Sequence, residues 1–150
     1  MHEITFVTGN IMTHRRATLD DSPLLAKLNS QLIKDEGHRN RMIIPQLEER
    51  IRSWLASEYT AIFFEEKGEV IAYALFRERP DEIYLRQLFV VRHLRRRGIG
   101  RQAIQILRSN IWPKNKRLTV EVLTANKSGI AFWRAVGYTD YSLTLEILST

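Results

Sequence analysis

"EIYLRQLFVVRHLRRRGIGRQAI", residues 82–104, changes character twice. Its first ten residues are rich in β-branched and aromatic side chains and read as a strand. From Gly98 onward Ile99, Ala103, Ile106 and Leu107 fall on one side of a helix that the period carries to about Asn110. Between them lies a loop containing Arg92, Arg95, Arg96 and Arg97, closed by Gly98 and Gly100. At such a junction the first N–H groups of the helix have no partner and the macrodipole is positive, so a phosphate fits there without further help. The glycines let the backbone approach a pyrophosphate, and the guanidinium groups add charge-assisted bonds. The competing reading is a solvated basic helix start whose glycines serve packing.

Working upstream, "TAIFFEE" and "VIAYALFRE" flank Lys67-Gly68-Glu69 and predict an antiparallel hairpin, with residues 82–91 as the third strand of a meander. Asp20-Asp21-Ser22-Pro23 offers an N-cap followed by proline in a first turn, and Leu25, Leu28 and Leu32 follow at helical spacing as far as Gly37. A second helix begins near Pro45, with Leu47, Ile51, Trp54 and Leu55 on one face. "THRRATL" is a short strand, and residues 1–12 are an N-terminal extension with no assigned element. Downstream, "RLTVEVL" returns as a strand and "KSGIAFWRAV" is a helix ending at Gly137. "TDYSLTLEI" alternates, placing Tyr141, Leu143, Leu145 and Ile147 on one face of a last strand. The expectation is one α/β (α+β) domain over residues 1–150, with a mixed, mostly antiparallel sheet and helices on both faces.

Composition narrows the chemistry. The chain has no cysteine, which excludes disulfides, thiolate zinc sites and cysteine nucleophiles; no metal is expected. It has no apolar run of membrane-spanning length and no signal-peptide pattern, so the reading is a soluble cytoplasmic protein without a membrane partner. The formal charge of +6 favours an anionic partner. A kinase-type P-loop needs Lys-Ser or Lys-Thr after its last glycine, and Arg101-Gln102 stands there. Gly98-x-Gly100-x-x-Ala103 formally fits the dinucleotide fingerprint, with Glu121 about 20 residues on. However, "RHLRRR" separates strand from glycines, and the antiparallel hairpin upstream leaves no room for a doubly wound sheet. Nucleic acid stays open through the arginines and Lys114-Asn115-Lys116-Arg117, but the buried face of the helix and the lack of an aromatic-basic stripe disfavour it.

Arg95-Arg96-Arg97-Gly98-Ile99-Gly100 resembles the Q/R-x-x-G-x-G/A motif of the GNAT superfamily of acyl-CoA-dependent N-acyltransferases. "NKSGIAFWRAVGY" looks like that family's second motif, and the order of elements agrees from about Arg15 to Ile147. The resemblance implies a sheet splayed at the cofactor site, acetyl-CoA as co-substrate, and direct attack by a primary amine in a ternary complex. It implies that amides of Arg96 to Arg101, with Arg95, Arg97, Gly98, Ile99 and Gly100 in the same loop, hold the pyrophosphate. Leu88, Phe89 and Val90 would pair with the pantetheine arm, an N–H near Val90 would stabilise the developing oxyanion, and Asn126 would flank the channel. Asn126 reads equally as an N-cap. Where the family often carries a tyrosine as proton donor, this chain has Trp133, expected to pack beside the cofactor. Tyr138 and Tyr141 are stand-in acids, each with a packing alternative.

For the acceptor side, the loop "KDEGHRNRM" supplies Asp35, Glu36, His38, Arg39 and Asn40, with Glu36 and His38 as catalytic candidates and Glu121 as a further base. The alternative is a solvated polar loop. Two other functions remain open, a non-catalytic acyl-CoA sensor and a basic nucleic-acid binder, as does a homodimer through the last strand.

Overall fold

The computed structural model describes residues 3–7 and 10–149, with side chains from residue 12. Six strands form one sheet in sequence order: β1 (Glu3–Val7), β2 (Asn10–Arg16), β3 (Tyr59–Glu66), β4 (Glu69–Glu78), β5 (Glu82–Val90) and β6 (Arg117–Val120). Strands β1 to β5 are antiparallel neighbours, and β6 runs parallel to β5. The β3–β4 hairpin turns on Lys67 and Gly68, both at positive φ (53° and 80°), the conformation of the two-residue turns that match strand twist. Within the N-terminal extension expected over residues 1–12, Glu3–Val7 pairs with β2, whereas residues 1, 2, 8 and 9 lie outside the described residues.

Four helices cover the sheet: α1 (Ser22–Glu36), α2 (Ile44–Ala56), α3 (Ile99–Ile106) and α4 (Lys127–Ala135). Pro23 sits in the first turn of α1 and Gly37 closes it at φ 69°. Asp21 occupies the cap position but does not cap α1 with its side chain; it closes the preceding 3-10 turn by accepting from the Thr18 N–H (2.8 Å), and it accepts from Arg15 (3.0 and 3.1 Å). Leu25, Leu28 and Leu32 of α1 and Leu47 and Ile51 of α2 are buried with Phe63, Tyr73 and Phe89 on one face of the sheet. Ile99, Ala103, Ile106 and Leu107 seat α3 on the other face, against Phe64, Ala72, Phe76 and Leu85. α1 and the α3 run bury the stripes that their spacing predicts, α2 buries Leu47 and Ile51 while Trp54 and Leu55 stay half-buried, α4 buries no residue completely, and the sheet is sandwiched between two apolar layers.

Two expected strands fall short. β6 ends at Val120, before the Glu121-Val122-Leu123 expected to continue it. The segment expected as a last strand joins no sheet among the described residues, and its alternating face is bare: Tyr141 is 82% exposed and Ile147 99% exposed. The alternating side chains share a face that nothing covers among the described residues.

Candidate active site

The site begins with a register event in β5. Leu75 of β4 lies opposite Gln87, and Phe76 lies opposite Leu85, so Arg86 is an extra residue without a partner. A bulge of this kind bends its strand and sharpens the local twist. The consequence is visible on the other edge of β5, where β6 pairs only from Glu82 to Leu85. Beyond the bulge, β5 continues to Val90 with no strand partner on that side among the described residues. The two parallel strands therefore diverge, leaving the main chain of Leu88, Phe89 and Val90 beside an open wedge.

The wedge leads into the basic loop. Arg92–Leu94 forms a short 3-10 turn, Arg96 adopts φ 66°, and Gly98 adopts φ 77° at the cap of α3. Gly98 is used for that left-handed conformation, because a Cβ there meets nothing within 4 Å. Gly100 is used differently. Its hypothetical Cβ would lie 3.1 Å from Phe132 Cε1 and 3.8 Å from Val90 Cγ2, so its smallness lets α3 pack on the aromatic ring of α4. Of the two readings of the glycines, packing applies to Gly100.

The arginines divide as well. Arg95 donates from Nε to the Val90 carbonyl (2.8 Å) and from Nη2 to Asp35 (2.6 Å), and Arg92 donates to the other oxygen of Asp35 (2.5 Å). Burial alone would raise the Asp35 pKa, but the bonds from Arg95 and Arg92 outweigh it and hold the carboxyl below its ordinary value. These two arginines thus clamp the end of α1 to the end of β5. Arg101 reaches the Ala135 carbonyl at the end of α4 (3.5 Å). Arg96 and Arg97 are exposed and pair with no carboxylate among the described residues, so the free positive charge sits beside the amides that open α3. In the second basic run Lys116 is held by Glu78 (2.6 Å) and Arg117 lies near Glu82 (3.6 Å), leaving Lys114 as its one cation without an ion pair among the described residues, which weakens the support the run lent to nucleic-acid binding.

A parallel pair that diverges into a glycine-opened helix start is the arrangement the two sequence motifs imply, and the model of the acetyltransferase (GNAT) family matches residues 29–138. The chain belongs to the GNAT family of acetyltransferases. Among solved structures, an aminoglycoside N-acetyltransferase in complex with CoA superposes with a TM-score of 0.72 at 16% identity, covering 97% of this chain and 99% of that one. A predicted acetyltransferase from Clostridium acetobutylicum, with acetyl-CoA, gives 0.70 at 19% identity over 91% and 96%. An aminoglycoside acetyltransferase from an uncultured soil metagenomic sample, in complex with sisomicin, gives 0.70 at 16% identity over 93% and 95%. At these identities the likeness is one of fold. No curated protein matches.

On the α1 side of this GNAT cleft the candidate residues separate. Glu36 is partly buried, and its pKa is raised by desolvation, with the Asp35 charge adding and Arg95 opposing. His38 Nε2 lies 3.9 Å from Glu36. Arg39 turns away to Glu146 (3.0 Å), and Asn40 accepts the Met42 N–H (2.8 Å) in a local turn. Across from Glu36, Tyr73 is fully buried and donates to Gln87 Oε1 (2.8 Å); its pKa is pushed up by burial, and Glu36 adds to the shift. Neither Tyr73 nor Gln87 stood out in the sequence, because each sits in a strand whose alternation reads simply as core.

Glu121 is exposed just past β6 and accepts the Tyr84 O–H (2.5 Å), which together with burial raises the Tyr84 pKa. Asn126 caps α4 by accepting the Gly129 N–H (3.0 Å), and a side chain at 129 would collide with it at 2.4 Å. Trp133 stacks edge-on between Phe132 (4.9 Å) and Tyr138 (5.4 Å), and Phe132 is the ring that abuts Gly100. Burial pushes the Tyr138 hydroxyl up to about 12, with Arg108, at the far end of the α3 run, opposing. Tyr141 lies under the Arg117 guanidinium (4.4 Å) at the start of β6, away from the wedge. A separate groove of about 440 Å³ is lined by Met42, Gln46, Glu49, Arg50, Ser53 and Trp54. Arg50 and Arg86 both stack on Trp54 (4.3 and 4.5 Å) and pair with no carboxylate among the described residues.

Proposed function

We propose that the chain transfers the acetyl group of acetyl-CoA to a primary amine by direct attack within a ternary complex, and that it does so in the cytoplasm. The observation that carries this reading is the unpaired edge of β5 from Arg86 to Val90 running into the N-terminus of α3. That edge suits the amide-rich pantetheine arm as an added strand. The amides of residues 96 to 101 suit the pyrophosphate, and Arg96 and Arg97 supply unpaired charge beside them. The Asn126 amide, free on its Nδ2 side, flanks the channel, and Trp133 backs Phe132 against it.

Acetyl-CoA supplies an activated thioester. The chain's own residues must orient the amine, remove its proton and stabilise negative charge on the carbonyl oxygen. We assign the last task to a main-chain N–H near Val90. Glu36 serves as the base: desolvation has raised its proton affinity, and it lacks the hydrogen-bonded donor that occupies Glu121. His38 is within one water of it and extends the relay to solvent. No strong acid is needed at the sulfur, since a thiol titrates near 8.5 and releasing thiolate at neutral pH costs only about 2 kcal/mol. Trp133 in place of a phenol is therefore compatible with turnover. Arg50 and Arg86 make the Trp54 wall cationic, which favours an amine acceptor that also bears an anionic group over a polycation.

Release of free thiol from acetyl-CoA, measured against a panel of amino acids, polyamines and aminoglycosides, tests the proposal. Thiol release with at least one amine is expected, together with thermal stabilisation by acetyl-CoA and none by DNA or RNA. Stabilisation without thiol release for any amine would make the chain an acyl-CoA sensor, and stabilisation by nucleic acid alone would overturn the reading.

A further inference from the structure

The bulge that parts β5 from β6 also turns an arginine toward the α1 and α2 side of the sheet. In a regular strand Arg86 and Gln87 would point to opposite faces. Here Gln87 accepts from Tyr73, while Arg86 donates to the Tyr59 hydroxyl (3.2 Å) and stacks on Trp54 (4.5 Å), all in the layer beneath α1 and α2. Arg50 of α2 is stacked on the same indole (4.3 Å).

Two guanidinium groups thus share one aromatic wall, and neither has a carboxylate partner among the described residues. Arg50 is half-buried; it donates from Nη2 to Asn29 Oδ1 (3.2 Å), and its buried Nε has no acceptor. Burial, and after it the Arg86 charge, lowers the Arg50 pKa, as expected where one cation faces another. A donor and a charge so poorly compensated destabilise the empty groove, and a ligand anion would relieve both. Glu49 also lines the groove, but it is exposed and makes no ion pair with either guanidinium.

Two elements give the distance from these cations to the reacting centre. Asn29, which holds Arg50, and Glu36 lie seven residues apart on one side of α1, about 10 Å along its axis. Arg86 and Val90 lie four residues apart in β5, about 13 Å. Tyr73 ties the two ends together, since its hydroxyl feels the charges of both Glu36 and Arg50. With about 3 Å for the contact at each end, an acceptor that spans them carries its two charged groups about 4–7 Å apart. An extended chain advances about 1.2 Å per bond, so about four to six bonds separate the amine from the anion.

We propose that Arg50 and Arg86, beside Trp54, bind a carboxylate of the acceptor, and that the acetylated amine belongs to an ω-amino carboxylate. This rests on the acetyl-transfer reading above and adds the acceptor's class. The planar guanidinium fork suits a carboxylate, the indole offers the acceptor's methylenes an apolar wall, and the paired cations repel a polycation. An α-amino acid is too short to reach Glu36 from the same clamp. Of the two protons that leave the ammonium, Glu36 takes the first before attack. The second leaves as the C–N bond forms and the C–S bond breaks, and it ends on the departing thiolate.

Thiol release from acetyl-CoA is measured with ε-aminocaproate and γ-aminobutyrate, with the amides of both, with glycine and with an aminoglycoside. The wild type should prefer at least one of the two acids over its amide by ~30-fold or more in kcat/KM, as expected when one side of a desolvated charge pair is removed. In R86M, altered at an exposed side chain, that preference should shrink below ~3-fold, through KM rather than kcat. Binding is read apart from turnover by calorimetry, with and without CoA: caproate, a carboxylate without an amine, should bind the wild type at least ~10-fold more tightly than R86M or R50Q. Equal use of acid and amide, a preference for glycine or the aminoglycoside, or caproate binding indifferent to Arg86 overturns the proposal. Thiol release from the amides with no caproate binding removes the clamp and leaves acetyl transfer standing. Caproate binding that depends on Arg86, with no thiol release from any amine, upholds the carboxylate site and overturns acetyl transfer.

Discussion

Gly100→Ala sets two physical effects against each other. Gly100 is the second residue of α3, where alanine would ordinarily gain up to about 1 kcal/mol of helix propensity over glycine. The added methyl, however, would sit 3.1 and 3.2 Å from Phe132 Cε1 and Cζ, inside the ordinary carbon contact of about 3.5–4.0 Å. The ring is not free to retreat, because it packs edge-on against Trp133, which packs in turn on Tyr138. Overpacking of this kind costs roughly 1–3 kcal/mol, so the net expectation is a loss of about 1 kcal/mol. Acetyl-CoA affinity should fall with it, since the displaced element carries the amides assigned to the pyrophosphate. Phe132→Leu, which shortens the ring side, should make room. The double-mutant cycle by urea denaturation should then show a favourable coupling of about 1 kcal/mol. Gly98→Ala is the internal control: its cost of about 1–2 kcal/mol arises from φ 77° and not from a neighbour, so it should add to Phe132→Leu without coupling. A Gly100→Ala protein more stable than wild type, or a cycle additive within about 0.4 kcal/mol, would refute the argument.

Three further outcomes follow from the charged groups. Glu36→Gln should lower amine acetylation roughly 100-fold and remove the acid limb of the pH–rate profile while leaving acetyl-CoA binding intact; an unchanged limb would move the base elsewhere. Because burial raises the Glu36 pKa above its unfolded value, the carboxylate weakens the fold as pH rises through that window, and the glutamine variant should be the more heat-resistant at neutral pH. Asp35→Asn should loosen the clamp between α1 and the loop after β5 at a cost of about 1 kcal/mol near pH 7, read by denaturation, because pairs this close to solvent are screened. Asp21, held low by its hydrogen bond to Arg15, contributes stability above about pH 4 that disappears as pH falls through its depressed value; Asp21→Asn should flatten the acid side of the stability profile.

What was legible in the residues was whatever a single element decides alone. The Lys67-Gly68 turn, the closure of α1 at Gly37 and the buried stripe of α3 depend on local conformation and period, and each stands where the pattern put it. The wedge beside β5 is different. It arises because Arg86 is one residue too many for its partner strand, and a bulge is a property of two strands in register that no single stretch displays. Gly100 was visible as a glycine, but its reason lies across the fold in Phe132. Likewise the sequence groups Arg95 with the loop after β5, and its bond to Asp35, sixty residues earlier, is visible only in the fold.

The last strand carries the same logic one step further. Tyr141, Leu143, Leu145 and Ile147 alternate as cleanly as any strand in the chain, and alternation says only that one face is to be covered. Which surface covers it is decided by what lies alongside, and here the neighbouring edge of β6 stands apart from the segment with no ladder between them. The pattern fixes which side chains share a face and not what they meet, so a paired strand and an unpaired one read alike in the sequence.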